Sequence, residues 1–328
     1  MVNAAIVSLG WWGKVLVDSV QGKSDNIKFT HGWVRTPANA KEYVDAKGIA
    51  LVDTYENLVK RDDIDAVVLA TQHSKHKEQI IAAAAAGKHV FCEKPLCLTK
   101  ADAEEAVAAA NKAGIVLATG FNRRFAPAIA EMKKRVDAEA FGPLLHVEGT
   151  MSAPAGLFLK PGVWRADRNE TPAGGMTPMG VHVIDSYIQL FGEIDEVYCQ
   201  SFHRVVPNDT DDTTSVLFRF KNGMSGYLAN MLAAPGSYRL QVFGRDATAT
   251  ITKPTLESFT YETREKPGEI EAKEWPGVDT VNLELEAFAN AIKTGTPHPV
   301  PLDDIIHGTA VLEAIVKSAQ SHKPEKVG

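Results

Sequence analysis

Gly87-Lys88-His89-Val90-Phe91-Cys92-Glu93-Lys94-Pro95-Leu96 is the segment on which the reading of this chain turns. The alanine-rich run ahead of it, residues 80–86, stops at Gly87, the residue type that closes a helix in a left-handed turn. Residues 89–92 then read as a short buried strand. A carboxylate, an ammonium and a proline follow at once. In an open parallel sheet, ligands bind just beyond the carboxyl ends of strands. Pro95 holds Lys94 in extended backbone, so Lys94 is placed to meet a small molecule. A lone lysine in a loop would simply point into water.

Upstream, the apolar run 4–9 has strand length and is followed by Gly10-Trp11-Trp12-Gly13 and an amphipathic stretch, 14–20. Strand, glycine turn, helix is the order of a dinucleotide-binding unit, whose usual pattern is G-x-G-x-x-G. Ser8 stands in its first position, and Gly10 and Gly13 fill the second and third. Gly10 lets a backbone approach a pyrophosphate, Gly13 lets the helix approach the strand, and the helix N-terminus offers free N–H groups to phosphate. Ser8, Gly10, Trp11, Trp12 and Gly13 are therefore candidate cofactor contacts, against the plain alternative of a tight turn.

Residues 29–34 read as a second strand, ending in Arg35-Thr36-Pro37. An NAD enzyme usually has Asp or Glu there for the ribose hydroxyls. This chain has a cation and a hydroxyl instead, which suit a 2′-phosphate. NADP(H) is thus favoured, with NAD(H) possible, and Arg35 and Thr36 join the candidate cofactor contacts. A third apolar strand, 66–71, ends at Thr71, and His76 opens the helix beyond it; both are further cofactor candidates, with Glu93 and Lys94. His73 and His76 lack a third ligand type nearby, and no metal is expected. Thr99 is expected to cap a helix over 100–113, closed by Gly114 and followed by a strand at 115–119. Repeated strand and helix imply a parallel doubly wound sheet.

Three segments, Ser8–Gly13, Gly87–Pro95 and Gly120-Phe121-Asn122-Arg123-Arg124-Phe125, together resemble the glucose-fructose oxidoreductase / inositol dehydrogenase / MocA family. A fourth, Gly174-Gly175-Met176-Thr177-Pro178-Met179-Gly180-Val181-His182-Val183-Ile184-Asp185, is similar to its second-domain signature. The resemblance implies an α/β protein: an N-terminal Rossmann domain (1–123) and a C-terminal α+β domain (124–328) with an open, mostly antiparallel sheet. It implies a nicotinamide cofactor and a small sugar, polyol, cyclitol or dihydrodiol substrate. Lys94 would be the catalytic lysine and His182 the catalytic histidine. Pro178 stands where family members commonly carry an Asp, so the usual Lys-Asp-His trio is incomplete. Asp185, one turn beyond His182 on the same helix face, is the candidate replacement that orients the imidazole.

The second half carries its own signals. Helices are expected over 127–137, 174–190, 281–293 and 303–321. Residues 153–173, rich in Pro, Gly and charge, form a long loop of the kind that serves as a functional flap, and Trp164-Arg165 in it are candidate substrate contacts with Asn122, Arg123 and His182. Asn222-Gly223 between two strand-like runs is a strong hairpin signal. Adjacent strands at 237–244, 247–252 and 256–263 predict an antiparallel sheet. Its second face needs cover, so a homo-oligomer, dimer or tetramer, is expected.

The 328 residues suit two domains. A net charge of −6 without a dense basic block argues against nucleic acid or an anionic membrane as partner. Cys92, Cys97 and Cys199 have no metal or disulfide spacing. With no signal-peptide layout at the N-terminus, they suggest a cytoplasmic protein. The leading expectation is an NAD(P)-dependent oxidoreductase acting on a hydroxyl or carbonyl of a small molecule. The alternative is a dinucleotide-binding regulator without turnover, and reduction of an imine or ring double bond stays open.

Overall fold

A computed structural model describes all 328 residues. The chain divides into two compact units, residues 1–122 with 279–306 and residues 123–278 with 307–328.

The first unit alternates strand and helix: β1 (Val2–Val7), α1 (Trp11–Val20), β2 (Ile27–Trp33), α2 (Lys41–Lys47), β3 (Ala50–Leu51), α3 (Tyr55–Val59), β4 (Ala66–Leu69), α4 (His76–Ala85), β5 (His89–Cys92), α5 (Lys100–Ala113) and β6 (Leu117–Thr119). The six strands are all parallel, in the order β3-β2-β1-β4-β5-β6. This is the doubly wound arrangement, whose order reverses between β1 and β4. Strand β4 reads Ala-Val-Val-Leu and is buried throughout, as a strand covered on both faces must be. The caps behave as the sequence suggests. Thr99 accepts a hydrogen bond from the N–H of Asp102 at the start of α5, and Gly114 ends that helix in a left-handed turn.

In the second unit come α6 (Pro127–Asp137), β7 (Leu144–Ser152), α7 (Gly180–Phe191), β8 (Ile194–Phe202), β9 (Thr213–Phe220), β10 (Ser225–Met231), β11 (Ser237–Gly244), β12 (Ala247–Thr252), β13 (Ser258–Thr263) and β14 (Glu271–Glu274). Two helices, α8 (Thr280–Thr294) and α9 (Leu302–Ser321), and a short β15 (Glu325–Lys326) close the chain. The nine-stranded sheet runs β14-β13-β12-β11-β7-β10-β9-β8-β15, antiparallel except where β7 lies beside β10. The Asn222-Gly223 turn joins β9 to β10, with Gly223 at φ +88. Helix α7 begins later than the sequence suggests. A 3-10 turn at Gly174–Met176 and Pro178 precede it, since proline disfavours helix in the residue before it.

The domain division differs from the sequence expectation by one residue at the first boundary, where Arg123 falls in the second unit, and in one larger respect. Residues 279–306 return to the first unit instead of staying with everything after 124. Leu285, Phe288 and Ala289 of α8 sit in the same apolar core as Ile6, Leu16, Phe29 and Phe91. The Phe288 ring meets Phe91 edge-on at 5.7 Å. Burying a side chain of that size stabilises by about 1.5–3 kcal/mol. Asn282 Nδ2 donates to the Ser19 carbonyl (2.9 Å), and Asn26 Nδ2 donates to Glu286 Oε2 (2.7 Å), fixing the register of the returning helix.

Candidate active site

At the carboxyl end of β1 the chain turns sharply into α1. Ser8 adopts φ +80, a left-handed conformation that costs a non-glycine residue about 1–2 kcal/mol. A Cβ on Gly13 would lie 2.2 Å from the Ser8 carbonyl oxygen, so only glycine allows this approach of helix to strand. A Cβ on Gly10, by contrast, would meet nothing within 4 Å. Open space beside Gly10 and a ten-residue helix pointing its N-terminus there fit a phosphate-bearing group. The two tryptophans separate. Trp11 is 74 % exposed, whereas Trp12 packs against the apolar core, which makes Trp12 a structural residue before it is a ligand contact.

Arg35 and Thr36 are exposed directly after β2, with no acidic side chain from residue 33 to 37. Thr71 Oγ1 donates to Gln79 Oε1 (2.6 Å). His76 is fully buried at the start of α4, and its Nδ1 lies 3.0 Å and 3.2 Å from the carbonyl oxygens of Pro95 and Leu96. Beside the cofactor contact expected of it, His76 thus ties α4 to the loop after β5.

That loop is tightly built. The N–H of Glu93 donates to the Leu69 carbonyl (2.9 Å), and the N–H of Gly120 donates to the Cys92 carbonyl (2.9 Å). Glu93 is 6 % exposed and curls back so that the N–H of Lys94 donates to its Oε2 (3.2 Å). A Cβ at position 120 would lie 2.7 Å from Glu93 Oε1, so Gly120 makes room for that carboxylate. The Lys94–Pro95 bond is cis, and Lys94 is half-buried. Burial raises the Cys92 thiol well above its ordinary value and pushes Cys97 up to about 12. Both are neutral thiols, not nucleophiles. Asn122, a candidate substrate contact, instead donates from Nδ2 to Thr280 Oγ1 on α8 (2.8 Å).

In the second unit, eleven of the twelve residues of α7 are buried, His182 and Asp185 among them. His182 is 8 % exposed and Asp185 3 %. Asp185 has a partner the sequence reading missed. Arg124 Nε lies 3.0 Å from both carboxylate oxygens, and Arg124 Nη2 donates to Oδ1 at 2.7 Å. Both side chains are 4 % exposed, so this is a buried, bidentate ion pair. Asp185 thus fixes α7 to the segment that precedes α6, in addition to any influence on His182. Nothing local announces the pairing, because the partners lie 61 residues apart and an arginine in Arg-Arg-Phe reads as solvated.

Arg123 is held as well. Its guanidinium lies over the Tyr238 ring at 4.8 Å, and burial lowers its pKa while Tyr238 works in the opposite direction. In residues 153–173, Arg165 stacks on Trp164 at 4.1 Å. The loop is pinned, not loose. Asn208 Nδ2 donates to the carbonyls of Gly156 (3.2 Å) and Leu159 (3.1 Å), and Arg168 donates to the Asp209 carbonyl and to Asp211.

Residues 2–121 match the model of an oxidoreductase family with an NAD-binding Rossmann fold, and residues 129–250 match the GFO/IDH/MocA C-terminal domain. A myo-inositol 2-dehydrogenase from Thermotoga maritima is 28 % identical over 319 residues, 92 % of each chain. A trans-1,2-dihydrobenzene-1,2-diol dehydrogenase from Mus musculus is 28 % identical over 237 residues, 71 % of this chain and 70 % of that one. Among solved structures, levoglucosan dehydrogenase in complex with NADH and L-sorbose superposes with a TM-score of 0.90 at 23 % identity, covering 100 % of this chain and 99 % of that one. That last likeness speaks to the fold alone.

Proposed function

The chain belongs to the Gfo/Idh/MocA oxidoreductase family, and from that membership we propose that it moves a hydride between NADP(H) and a CH–OH or C=O group of a small sugar, cyclitol or dihydrodiol. The observation that carries this reading is the Glu93-Lys94-Pro95 turn at the carboxyl end of β5, in the same parallel sheet as the Gly10–Gly13 turn after β1. Ligands of such sheets bind at that edge.

Bound nicotinamide supplies the hydride chemistry; the protein supplies position and electrostatics. Gly10, Gly13 and the α1 N-terminus would hold the pyrophosphate, and Arg35 with Thr36 the 2′-phosphate of the adenosine ribose. Lys94 donates a hydrogen bond from Nζ to the substrate oxygen, which carries negative charge as the carbonyl forms or is reduced. The hydroxyl proton of the alcohol passes to the His182 imidazole and returns from it in the reverse direction. A positioned acid–base group contributes about 10²- to 10⁴-fold in rate. The Arg124–Asp185 pair holds the helix that carries His182, which offsets part of the loss of an Asp at position 178.

The second sheet supports a homo-oligomer. On adjacent strands, Tyr198, Leu217 and Tyr227 stand side by side, and Leu217 is 53 % exposed. Apolar side chains gathered on a sheet face mark an interaction surface.

The test is cofactor reduction with a panel of polyols, myo-inositol and anhydrosugars, using NAD⁺ and NADP⁺ in parallel and Lys94→Ala as control. Turnover lost in the variant and preferring NADP⁺ supports the proposal. Cofactor binding without turnover across the panel would favour a regulator. Tenfold tighter NAD(H) than NADP(H) would overturn the role given to Arg35.

A further inference from the structure

Glu284 is a carboxylic acid in the wrong place for a helix surface. It lies on the face of α8 that carries Val281, Leu285 and Phe288 into the first unit's core, and it is 0 % exposed. Neither of its carboxyl oxygens has a hydrogen-bond partner in the protein. A buried, unpartnered carboxyl costs free energy that a leucine in its place would not. Its neighbours are not random. One turn on, Phe288 meets Phe91 of β5 at 5.7 Å, and one turn back, Thr280 accepts from Asn122, two residues beyond the Gly120 that packs against Glu93, so this stretch of α8 runs along the turn after β5. The charges that act on Glu284 are those of Glu93, Lys94 and Asp279.

We propose that Glu284 is a positioning residue for the hydride-transfer site: it is the buried third member, behind Glu93 and Lys94, of a carboxyl–carboxyl–ammonium set whose shared charge governs Lys94. This rests on the reading of Lys94 as the residue that meets the substrate. The arrangement explains why a polar group is kept in an apolar seam. Glu93 is buried against Gly120 and bonded to the backbone of Lys94, so its charge is fixed in place. Glu284 is the adjustable member. Burial raises its pKa well above the ordinary carboxyl value, the charges of Glu93 and Asp279 raise it further, and Lys94 alone lowers it. Its own charge therefore appears at higher pH than that of an ordinary carboxyl. That new charge then favours the ammonium form of Lys94 and keeps the hydrogen-bond donor charged to higher pH.

The test reads Lys94 directly and needs no substrate. Competitive acylation of lysines with acetic anhydride, followed by peptide mass spectrometry across a pH series, gives the midpoint at which Lys94 becomes nucleophilic. In Glu284→Gln, which keeps the shape and removes the ionisation, the midpoint should fall by about one pH unit. Lys94 should then be about tenfold more reactive at mildly alkaline pH than in wild type. Glu284→Asp should restore part of the shift, and the pH profile of turnover on any active panel substrate should move the same way. An unchanged Lys94 midpoint in a folded Glu284→Gln overturns the proposal. Should that variant not fold, the reciprocal measurement decides. In Lys94→Met, the protonated-carboxyl infrared band of Glu284 should persist to higher pH, and an unmoved band overturns the proposal. Turnover abolished by Lys94→Ala without any coupling would sink the role of Glu284 only. Coupling without turnover on any panel substrate would leave the charge set standing and sink the hydride-transfer reading.

Discussion

Replacing Arg124 by Met should loosen α7. The variant removes a guanidinium that meets both oxygens of Asp185 at 2.7–3.0 Å and leaves a carboxylate 3 % exposed on a largely buried helix. Removing one partner of a buried ion pair costs about 3–5 kcal/mol, because the other charge stays desolvated. At about 1.4 kcal/mol per factor of ten, amides of α7 should exchange with deuterium roughly two to three and a half orders of magnitude faster. Hydrogen exchange read by peptide suits a two-unit chain, where a single unfolding free energy is poorly defined. The double variant Arg124→Met with Asp185→Leu should recover most of the loss, since an apolar pair of similar volume replaces a buried ion pair at little cost. Exchange from α7 that accelerates by less than about tenfold in Arg124→Met, or a double variant no better than the single one, would refute the claim that this pair secures the helix bearing His182.

Ser8→Gly should stabilise the first unit by roughly 0.5–1 kcal/mol, the left-handed penalty of Ser8 less the greater chain entropy of glycine; a lowered denaturation midpoint would contradict this. Asp212, buried, accepts hydrogen bonds from the N–H groups of Arg204, Val205 and Val206. Burial alone would raise its pKa, but these donors outweigh it and the pKa is lowered. Its stabilising contribution is therefore present above the ordinary carboxylate range and is lost as the pH falls through the lowered value. Asp212→Asn should accordingly shrink the stability difference between neutral and acid pH in urea melts, and an unchanged difference would remove the argument. Leu217→Lys should shift the protein to a smaller assembly in light scattering after size exclusion, whereas an unaltered mass would move the interface elsewhere.

Much of the first unit was legible because parallel strands buried on both faces are short apolar runs punctuated by glycine. Residues 66–69 and 89–92 could scarcely read otherwise. Thr99 and Gly114 marked the ends of α5 for reasons local to their own backbones. What escaped is what depends on distant partners. The sequence around Glu284 did carry a signal, a charge on the Val281–Leu285–Phe288 stripe, but amphipathic spacing states only that one face is buried and not which core receives it. Hence α8 reads as part of the second domain until its neighbours are known. His76 looked like a ligand because it opens a helix beyond a strand, and only the carbonyls of Pro95 and Leu96 show why an imidazole is buried there. The long stretch 153–173 reads as a flap because its anchors, Asn208, Asp209 and Asp211, lie 41 to 52 residues on.

The most direct test of the account is a double-mutant cycle on turnover with Lys94→Ala and His182→Ala, measured on whichever panel substrate the wild type uses. If both side chains serve one oxygen of one substrate, each single change should lower kcat by about 10²- to 10⁴-fold and the double variant should lose little more than the worse single one. Losses that multiply, or a His182→Ala enzyme as fast as wild type with cofactor affinity unchanged, would show that the amine and the imidazole do not act on the same reaction centre.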